Sequence, residues 1–329
     1  MREYEFYIDP DAAQLLKNLE SMGGVKLRDL SLADARAAAV SMGQQLDLPC
    51  TAPCEATDLP IDVPSSILAR LYSPGTHPGQ RGNKHGPGGP VILYIHGGGW
   101  ITGNLDFCDS LCRHLATRSG YRVLSVDYRL APEHPFPAAF EDVEAAARWV
   151  SNSPHALGSP VTGIALAGDS AGGGLAAAVA HRHAHDARLR MLAVLLFYPV
   201  TDISRTSASY ERFHRGFLLE AADMQYFAEC YAPTAEARSD PRVSPLLAEN
   251  LDAMPPTTLL ACGLDVLRDE GRAFAARLAG AGVDLAYSEA RGHLHGIALM
   301  RGALPSARVF VDRAIDDFLR QIERSQAPL

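Results

Sequence analysis

The chain has 329 residues, 47% of them hydrophobic, and a formal net charge of -8. That length and apolar content suit one α/β core with an appended subdomain. The acidic balance, with scattered basic residues that are nearly all Arg, speaks against nucleic acid or an anionic membrane surface as the main partner.

In chain order, residues 1–50 read as helical. Asp9-Pro10-Asp11 has the form of a helix start, with Pro near the first position and acid in the first turn. Leu15, Leu16 and Leu19 follow at helical spacing. A second helix is expected from Ser31, as N-cap, to Gly43. Residues 49–64 are Pro-rich and extended. Ile67 to Tyr72 reads as a strand, and the Gly- and Pro-dense stretch Thr76 to Pro90 as an exposed loop.

Apolar runs then alternate with helical stretches. The runs are Val91–Ile95, Tyr121–Tyr128, Val161–Ala167, Met191–Tyr198, Thr257–Cys262 and Leu285–Ser288. The helices are Ala138–Val150, Ala171–His185, Asp269–Ala281 and Ser306–Arg324. Short, continuously apolar strands between helices indicate a parallel sheet covered on both faces. Residues 202–240 break the alternation with a loosely helical pattern. They read as an insertion that folds over the site together with the N-terminal helices.

The longest apolar run, Met191 to Val200, is too short to span a bilayer. The acidic start Met1-Arg-Glu-Tyr-Glu-Phe-Tyr lacks the apolar stretch of a secretory signal. The six cysteines, Cys50, Cys54, Cys108, Cys112, Cys230 and Cys262, form no C-x-x-C pair. Reduced, mostly buried thiols are expected, which suits the cytoplasm, and zinc is disfavoured.

Gly168-Asp169-Ser170-Ala171-Gly172 matches G-x-S-x-G, follows the apolar strand Ile164–Ala167 and opens a helix. That strand–turn–helix setting is what a nucleophile elbow needs. The helix start offers free N–H groups to a developing oxyanion. His96-Gly97-Gly98-Gly99-Trp100 directly follows another strand, and a Gly triplet there presents backbone donors of the HGGG type. Gly98, Gly99 and Ala171 are therefore the expected oxyanion hole. His96 is expected to brace its loop rather than to catalyse.

These blocks, with Asp127-Tyr-Arg-Leu-Ala-Pro-Glu133, Pro135-Phe-Pro-Ala-Ala139 and Asp240-Pro-Arg-Val-Ser-Pro-Leu247, resemble the hormone-sensitive-lipase-like branch of the carboxylesterases. Gly99-Trp-Ile-Thr-Gly-Asn-Leu-Asp106 is similar to bacterial acetyl esterases. The resemblance implies an α/β-hydrolase fold: a mostly parallel eight-stranded sheet with helices on both faces and a helical cap. It divides the chain into an N-terminal cap segment (1–50), a core (51–201 and 241–329) and a cap insertion (202–240). It also implies the rest of the triad. The family's acid lies in a D-P-L motif, here Asp265-Val266-Leu267, which makes Asp265 the acid. Its base lies in an H-G-F motif, here His295-Gly296-Ile297, with His293 as a competitor two residues earlier. Asp269 is expected to cap the following helix.

The expected activity is hydrolysis of short-chain esters through an acyl-enzyme on Ser170, with no cofactor and no metal. An amidase or deacetylase using the same triad is the alternative. A ligand receptor on this fold is disfavoured, because the receptor relatives lack the catalytic His. The expected partner is a small-molecule ester, with a homodimer left open and no membrane or nucleic-acid role. Trp100, Asp169, Tyr198 and Asp202 are candidates for the pocket wall. His181, His183 and His185 read as a solvated helix end, Cys108 and Cys112 as a buried pair, and Asp142 as a structural contact.

Overall fold

The computed structural model describes residues 6–21, 23, 26–75 and 88–327. The expected loop at Thr76–Pro90 falls mostly outside the described residues. Two helices come first, α1 (Pro10–Ser21) and α2 (Leu32–Leu46). Asp9 Oδ1 accepts the Asp11 N–H, and Ser31 Oγ accepts the Asp34 N–H, so both start signals act as read. Eight strands follow: β1 (Cys54–Ile61), β2 (Ile67–Pro74), β3 (Gly89–Ile95), β4 (Arg122–Asp127), β5 (Val161–Asp169), β6 (Met191–Phe197), β7 (Thr257–Leu264) and β8 (Leu285–Leu294). The stretch read only as extended is β1, an antiparallel edge strand where Pro60 needs no ladder donor on its open side.

The sheet order is β1-β2-β4-β3-β5-β6-β7-β8. β2 pairs antiparallel with β1 and β4, and the other pairings are parallel. Helices α3 (Asp109–Ser119) and α10 (Arg308–Gln326) share one face, tied by His114–Asp312 (2.8 Å) and Arg118–Asp316 (2.7 Å). Helices α4 (Ala138–Ser151), α5 (Ser170–Arg182) and α9 (Arg268–Gly280) also flank the sheet. Strand β6 touches both α5 and α10, so it is covered on both sides. Continuous burial of Ile92–Ile95, Ile164–Ala167 and Leu192–Phe197 follows from this two-sided cover.

Between β6 and β7 the chain forms α6 (Ala208–Arg212), α7 (Ala221–Tyr231) and α8 (Ala235–Arg238). Residues Lys26 and Arg28 reach the start of α7. Lys26 Nζ lies 2.9 Å from Glu220, and Arg28 is 3.1 Å from Glu220 and 2.5 Å from Asp223. The rings of Phe6, Phe213 and Phe217 meet at 5.4–5.7 Å. The N-terminal segment and the inserted segment are thus in direct contact.

Helix α2 is fastened to the core by a buried ion pair. Asp47, just past its end, takes two hydrogen bonds of 2.8 Å from the Arg301 guanidinium, and both side chains are 4% exposed. Removing one partner strands a buried charge. Asp47→Ala is therefore expected to cost about 3–5 kcal/mol. Urea denaturation would measure it, and a loss no larger than that of a surface substitution would show that Arg301 finds another partner or water.

Candidate active site

The position of Ser170 is made by the junction of β5 and α5. β5 ends at Asp169, and Ser170 begins α5 with φ 53, in the left-handed region that non-glycine residues avoid. Sequence makes this turn affordable at Gly172. A side-chain carbon there would collide with the carbonyl oxygens of Ile95 and His96. The first turn of α5 therefore lies directly against the end of β3, and the Ser170 carbonyl accepts the Val200 N–H at 3.0 Å.

Two loops at the same sheet edge complete a relay. His295 follows β8, and its Nε2 lies 2.9 Å from Ser170 Oγ. Its Nδ1 lies 2.7 Å from Asp265 Oδ2. Asp265 follows β7, is 1% exposed, and takes the Leu267 N–H on its other oxygen at 2.9 Å. A carboxylate facing Nδ1 selects the tautomer with its proton there, which leaves the Nε2 lone pair for the serine hydroxyl. The Tyr198 ring packs edge-on against His295 at 4.7 Å, and its hydroxyl accepts the Ala298 N–H at 3.2 Å.

The loop His96–Trp100 runs beside the elbow. The Gly97 N–H donates to Asp169 Oδ1 at 2.9 Å, and the Tyr94 hydroxyl donates to the same oxygen at 2.6 Å. Gly97 has to be glycine, because a side-chain carbon would run into the Asp169 carboxylate. The Gly98 carbonyl accepts the Ile101 and Thr102 N–H groups and the Thr102 hydroxyl. Gly98 and Gly99 have φ 105 and 61. Ala171 lies in the first turn of α5, where N–H groups have no partner within the helix. His96 Nδ1 lies 2.8 Å from the Gly97 carbonyl, and its ring stacks on Tyr128 at 4.3 Å. The Tyr128 hydroxyl donates to the His96 carbonyl at 2.8 Å. Burial pushes the His96 pKa down to about 4, so this imidazole is a neutral brace.

Several expected pocket residues have other contacts. Asp169 turns its carboxylate onto the His96–Trp100 loop. Asp202 is 1% exposed and closes its own turn, accepting from Ser204 and from Arg205 at 2.8 Å. Trp100 is 1% exposed and lies flat on Tyr231. The partners of Asp169 and Trp100 lie far off in sequence, and those of Asp202 lie two and three residues on. Asp269 does not cap α9: that helix begins at Arg268, and Asp269 lies in its first turn, accepting from Arg268 Nε at 2.8 Å. His293 faces away from the serine, with Nε2 3.8 Å from Asp9 and its ring edge-on to Phe310. Asp142 pairs with Arg129 at 2.8 Å. His181 meets the Glu249 carbonyl and His183 meets Glu144. Cys108 and Cys112 are buried with their sulfurs 3.8 Å apart. Among the described residues, no group of three or more His, Cys, Asp or Glu is arranged to hold a metal ion. Nor is any described helix long and apolar enough to cross a membrane.

Sequence reasoning missed Tyr94, Tyr128 and Glu270. Glu270 is buried on α9, and its Oε1 accepts the N–H groups of Thr201 (2.7 Å) and Asp202 (3.2 Å). Tyr94 and Tyr128 were visible only as polar tips at the ends of apolar strands.

Burial raises the Asp169 carboxyl to about 6, against the pull of its Tyr94 and Gly97 hydrogen bonds. Its ordinary value is about 3.9. Between these values the folded chain holds a proton that the unfolded chain has released. This group's contribution to stability is therefore full below pH of about 4 and falls as pH rises to about 6. Asp169→Asn should lose less stability than the parent across that window, by up to about 3 kcal/mol. Urea midpoints at stepped pH would measure it, and parallel curves for the two proteins would exclude the shift.

Residues 92–299 match the family model described as alpha/beta hydrolase fold. The chain is 38% identical over 260 residues to the esterase LipI of Mycobacterium tuberculosis, covering 78% of this chain and 79% of that protein. It is 38% identical over 220 residues to an ethyl acetate hydrolase of Pseudomonas putida, covering 67% and 69%. Among solved structures, the ester hydrolase EH1AB1 from the Lake Arreo metagenome superposes with a TM-score of 0.87 at 35% identity, covering 96% of this chain and 99% of that one. A thermostable esterase from Pseudomonas putida ECU1011 gives 0.88 at 30%, covering 98% and 99%. The chain belongs to the hormone-sensitive-lipase-like carboxylesterases of the α/β-hydrolase fold, and is a carboxylic ester hydrolase.

Proposed function

We propose that the chain hydrolyses short-chain carboxylic esters by two-step acyl transfer on Ser170. The observation that carries this reading is the relay of 2.9 Å from Ser170 to His295 and 2.7 Å from His295 to Asp265. His295 takes the serine proton as Oγ attacks the ester carbonyl carbon. Asp265 keeps the imidazole in the right tautomer and stabilises the imidazolium that forms. The N–H groups of Gly98, Gly99 and Ala171 receive the negative oxygen of the tetrahedral intermediate. The C–O bond to the alcohol breaks, and His295 protonates the leaving oxygen. Water, deprotonated by the same His295, then attacks the acyl-enzyme, and Ser170 regains its proton as the acid leaves. No cofactor enters the scheme.

Residues 1–50 and 202–240 act in this reading as a cap over the serine. The supporting contacts are those of Lys26 and Arg28 with Glu220 and Asp223. An amidase shares every one of these parts, so comparing p-nitrophenyl acetate with p-nitroacetanilide decides between the two. The ester is expected to be the better substrate.

Ser170→Ala should lower kcat by roughly 10⁴-fold or more while leaving the fold intact, because one oxygen at the site is removed. His295→Ala should be about as damaging, because members of one relay fail together. His293→Ala should retain most activity. Initial rates on p-nitrophenyl acetate check all three, and near-normal turnover of Ser170→Ala would end the acyl-enzyme reading.

A second expectation concerns acyl length. A closed cap leaves a finite acyl pocket, and each buried CH₂ adds about 0.8 kcal/mol only until that pocket is full. kcat/KM should therefore peak at about C2 to C6 in a series of p-nitrophenyl esters. A maximum among long-chain esters, or a jump in rate once substrate forms micelles, would mean an open acyl tunnel.

A further inference from the structure

The oxyanion loop is held from two sides. From the core side, Asp169 holds Gly97, and Thr102 holds the Gly98 carbonyl. The following residues, Gly99 and Trp100, both have φ 61, and for Trp100 this is a backbone conformation that costs on the order of 1 kcal/mol or more. Such a conformation persists only where neighbours enforce it. Here the Ala131 N–H donates to the Trp100 carbonyl at 2.9 Å, and the ring contacts come from α7.

The nearest atoms to a side-chain carbon built on Gly99 all belong to the Phe227 ring, and they would overlap it. The Trp100 ring lies flat on Tyr231, with centroids 4.5 Å apart and planes 4° from parallel. Phe227 and Tyr231 are four residues apart, so they stand one above the other on a single face of α7. Consecutive residues of the loop thus meet consecutive turns of one helix. Both rings are buried. The helix is fixed at both ends. Glu220 and Asp223 form its capping box and take Lys26 and Arg28. At the other end the Tyr231 carbonyl accepts the Phe136 N–H at 2.8 Å.

We propose that α7 clamps the oxyanion loop, with Phe227 and Tyr231 as positioning residues that hold Gly99 and Trp100 in the donor-presenting conformation. This rests on the ester-hydrolase reading and adds to it. Oxyanion donors accelerate a reaction because they are already aimed before charge develops. Loosening the clamp therefore lowers kcat, since the oxyanion exists only beyond the ground state. A ring that merely walled the pocket would behave differently. Its loss would change KM, and the change would grow with ester size.

The test uses Phe227→Ala, Phe227→Leu, Tyr231→Ala and Tyr231→Phe in the full chain, with p-nitrophenyl acetate and butanoate as substrates. Each alanine variant should lower kcat about 10-fold or more on both esters. KM should stay within about 3-fold of the parent value on both. Tyr231→Phe keeps the stacked ring and should restore the kcat that Tyr231→Ala loses. The second-order rate of inactivation by diethyl p-nitrophenyl phosphate should fall in step with kcat, because phosphylation of Ser170 draws on the same donors. Trp100 and Trp149 are the two tryptophans of the chain. In a Trp149→Phe background, Tyr231→Ala should shift the emission of Trp100, and this readout needs no turnover. Where an alanine variant fails to give a cooperative melt, Phe227→Leu and Tyr231→Phe carry the comparison, with the leucine variant expected to keep KM and lose part of kcat. An unchanged kcat on acetate, or a KM that rises with acyl length at constant kcat, overturns the clamp. If the parent protein hydrolyses no ester at all, the ester-hydrolase reading fails and the clamp falls with it.

Discussion

The close approach of α5 to the end of β3 is the constraint on which the site depends. The two elements meet at Gly172, where the helix backbone lies against the Ile95 and His96 carbonyls. A larger residue there would push the helix start away from the loop that follows β3. The distance between Ala171 and Gly98–Gly99 would grow with it, and the proposed oxyanion hole would become two separate sets of donors. The strained φ of Ser170 belongs to the same turn. Because β5, β7 and β8 are parallel, their C-terminal ends lie on one edge of the sheet, and Ser170, Asp265 and His295 all leave from that edge.

Three buried carboxyl groups surround this junction, and the fold treats each differently. Asp265 shares its two oxygens between His295 and the Leu267 N–H, so its charge is directed at the imidazole. Asp169 receives Tyr94 and Gly97, which offset part of its burial. Glu270 receives two backbone N–H groups on Oε1 only, and burial drives its pKa well above the usual range, toward the neutral acid. Asp265 thus faces the imidazole, while Asp169 and Glu270 hold loops through backbone N–H groups. Burying all three as full charges would cost several kcal/mol per ion.

The parts above the site are braced across long sequence separations. Arg36 of α2 donates to the Ile101 carbonyl at 2.9 Å and forms a two-pronged pair with Glu133 at 2.7 and 2.8 Å. It therefore links the N-terminal helices to the chain just past the oxyanion loop. Lys26 and Arg28 link the same segment to α7, whose rings rest on that loop. The open Arg36–Glu133 pair contributes little by itself, and the other pairs set part-exposed bases on the buried Glu220 and Asp223. Their effect is to fix the place of α7, and with it the aromatic contacts on Gly99 and Trp100.

What sequence alone determined was local. Periodicity gave the alternation of strand and helix, because side chains buried on both sheet faces must be apolar at every position. Start signals at Asp9-Pro10 and Ser31 depend on neighbours two or three residues away, and both were read correctly. The G-x-S-x-G motif marked Ser170, the family resemblance implied Asp265 and His295, and these three side chains meet. Strand β1 was missed as a strand, because its mixed polar pattern is that of an edge. The roles of Asp169, Asp202, Trp100 and Asp269 were decided by the tertiary structure. Tyr94 reached Asp169 and Tyr231 reached Trp100 from far along the chain, whereas Asp202 and Asp269 took the local partners Arg205 and Arg268. A polar or aromatic group buried beside a site must satisfy its hydrogen bonds or fill its contacts. Which group does so depends on atoms that come together only in the folded chain, as when Tyr231 reaches Trp100 across 131 positions of sequence.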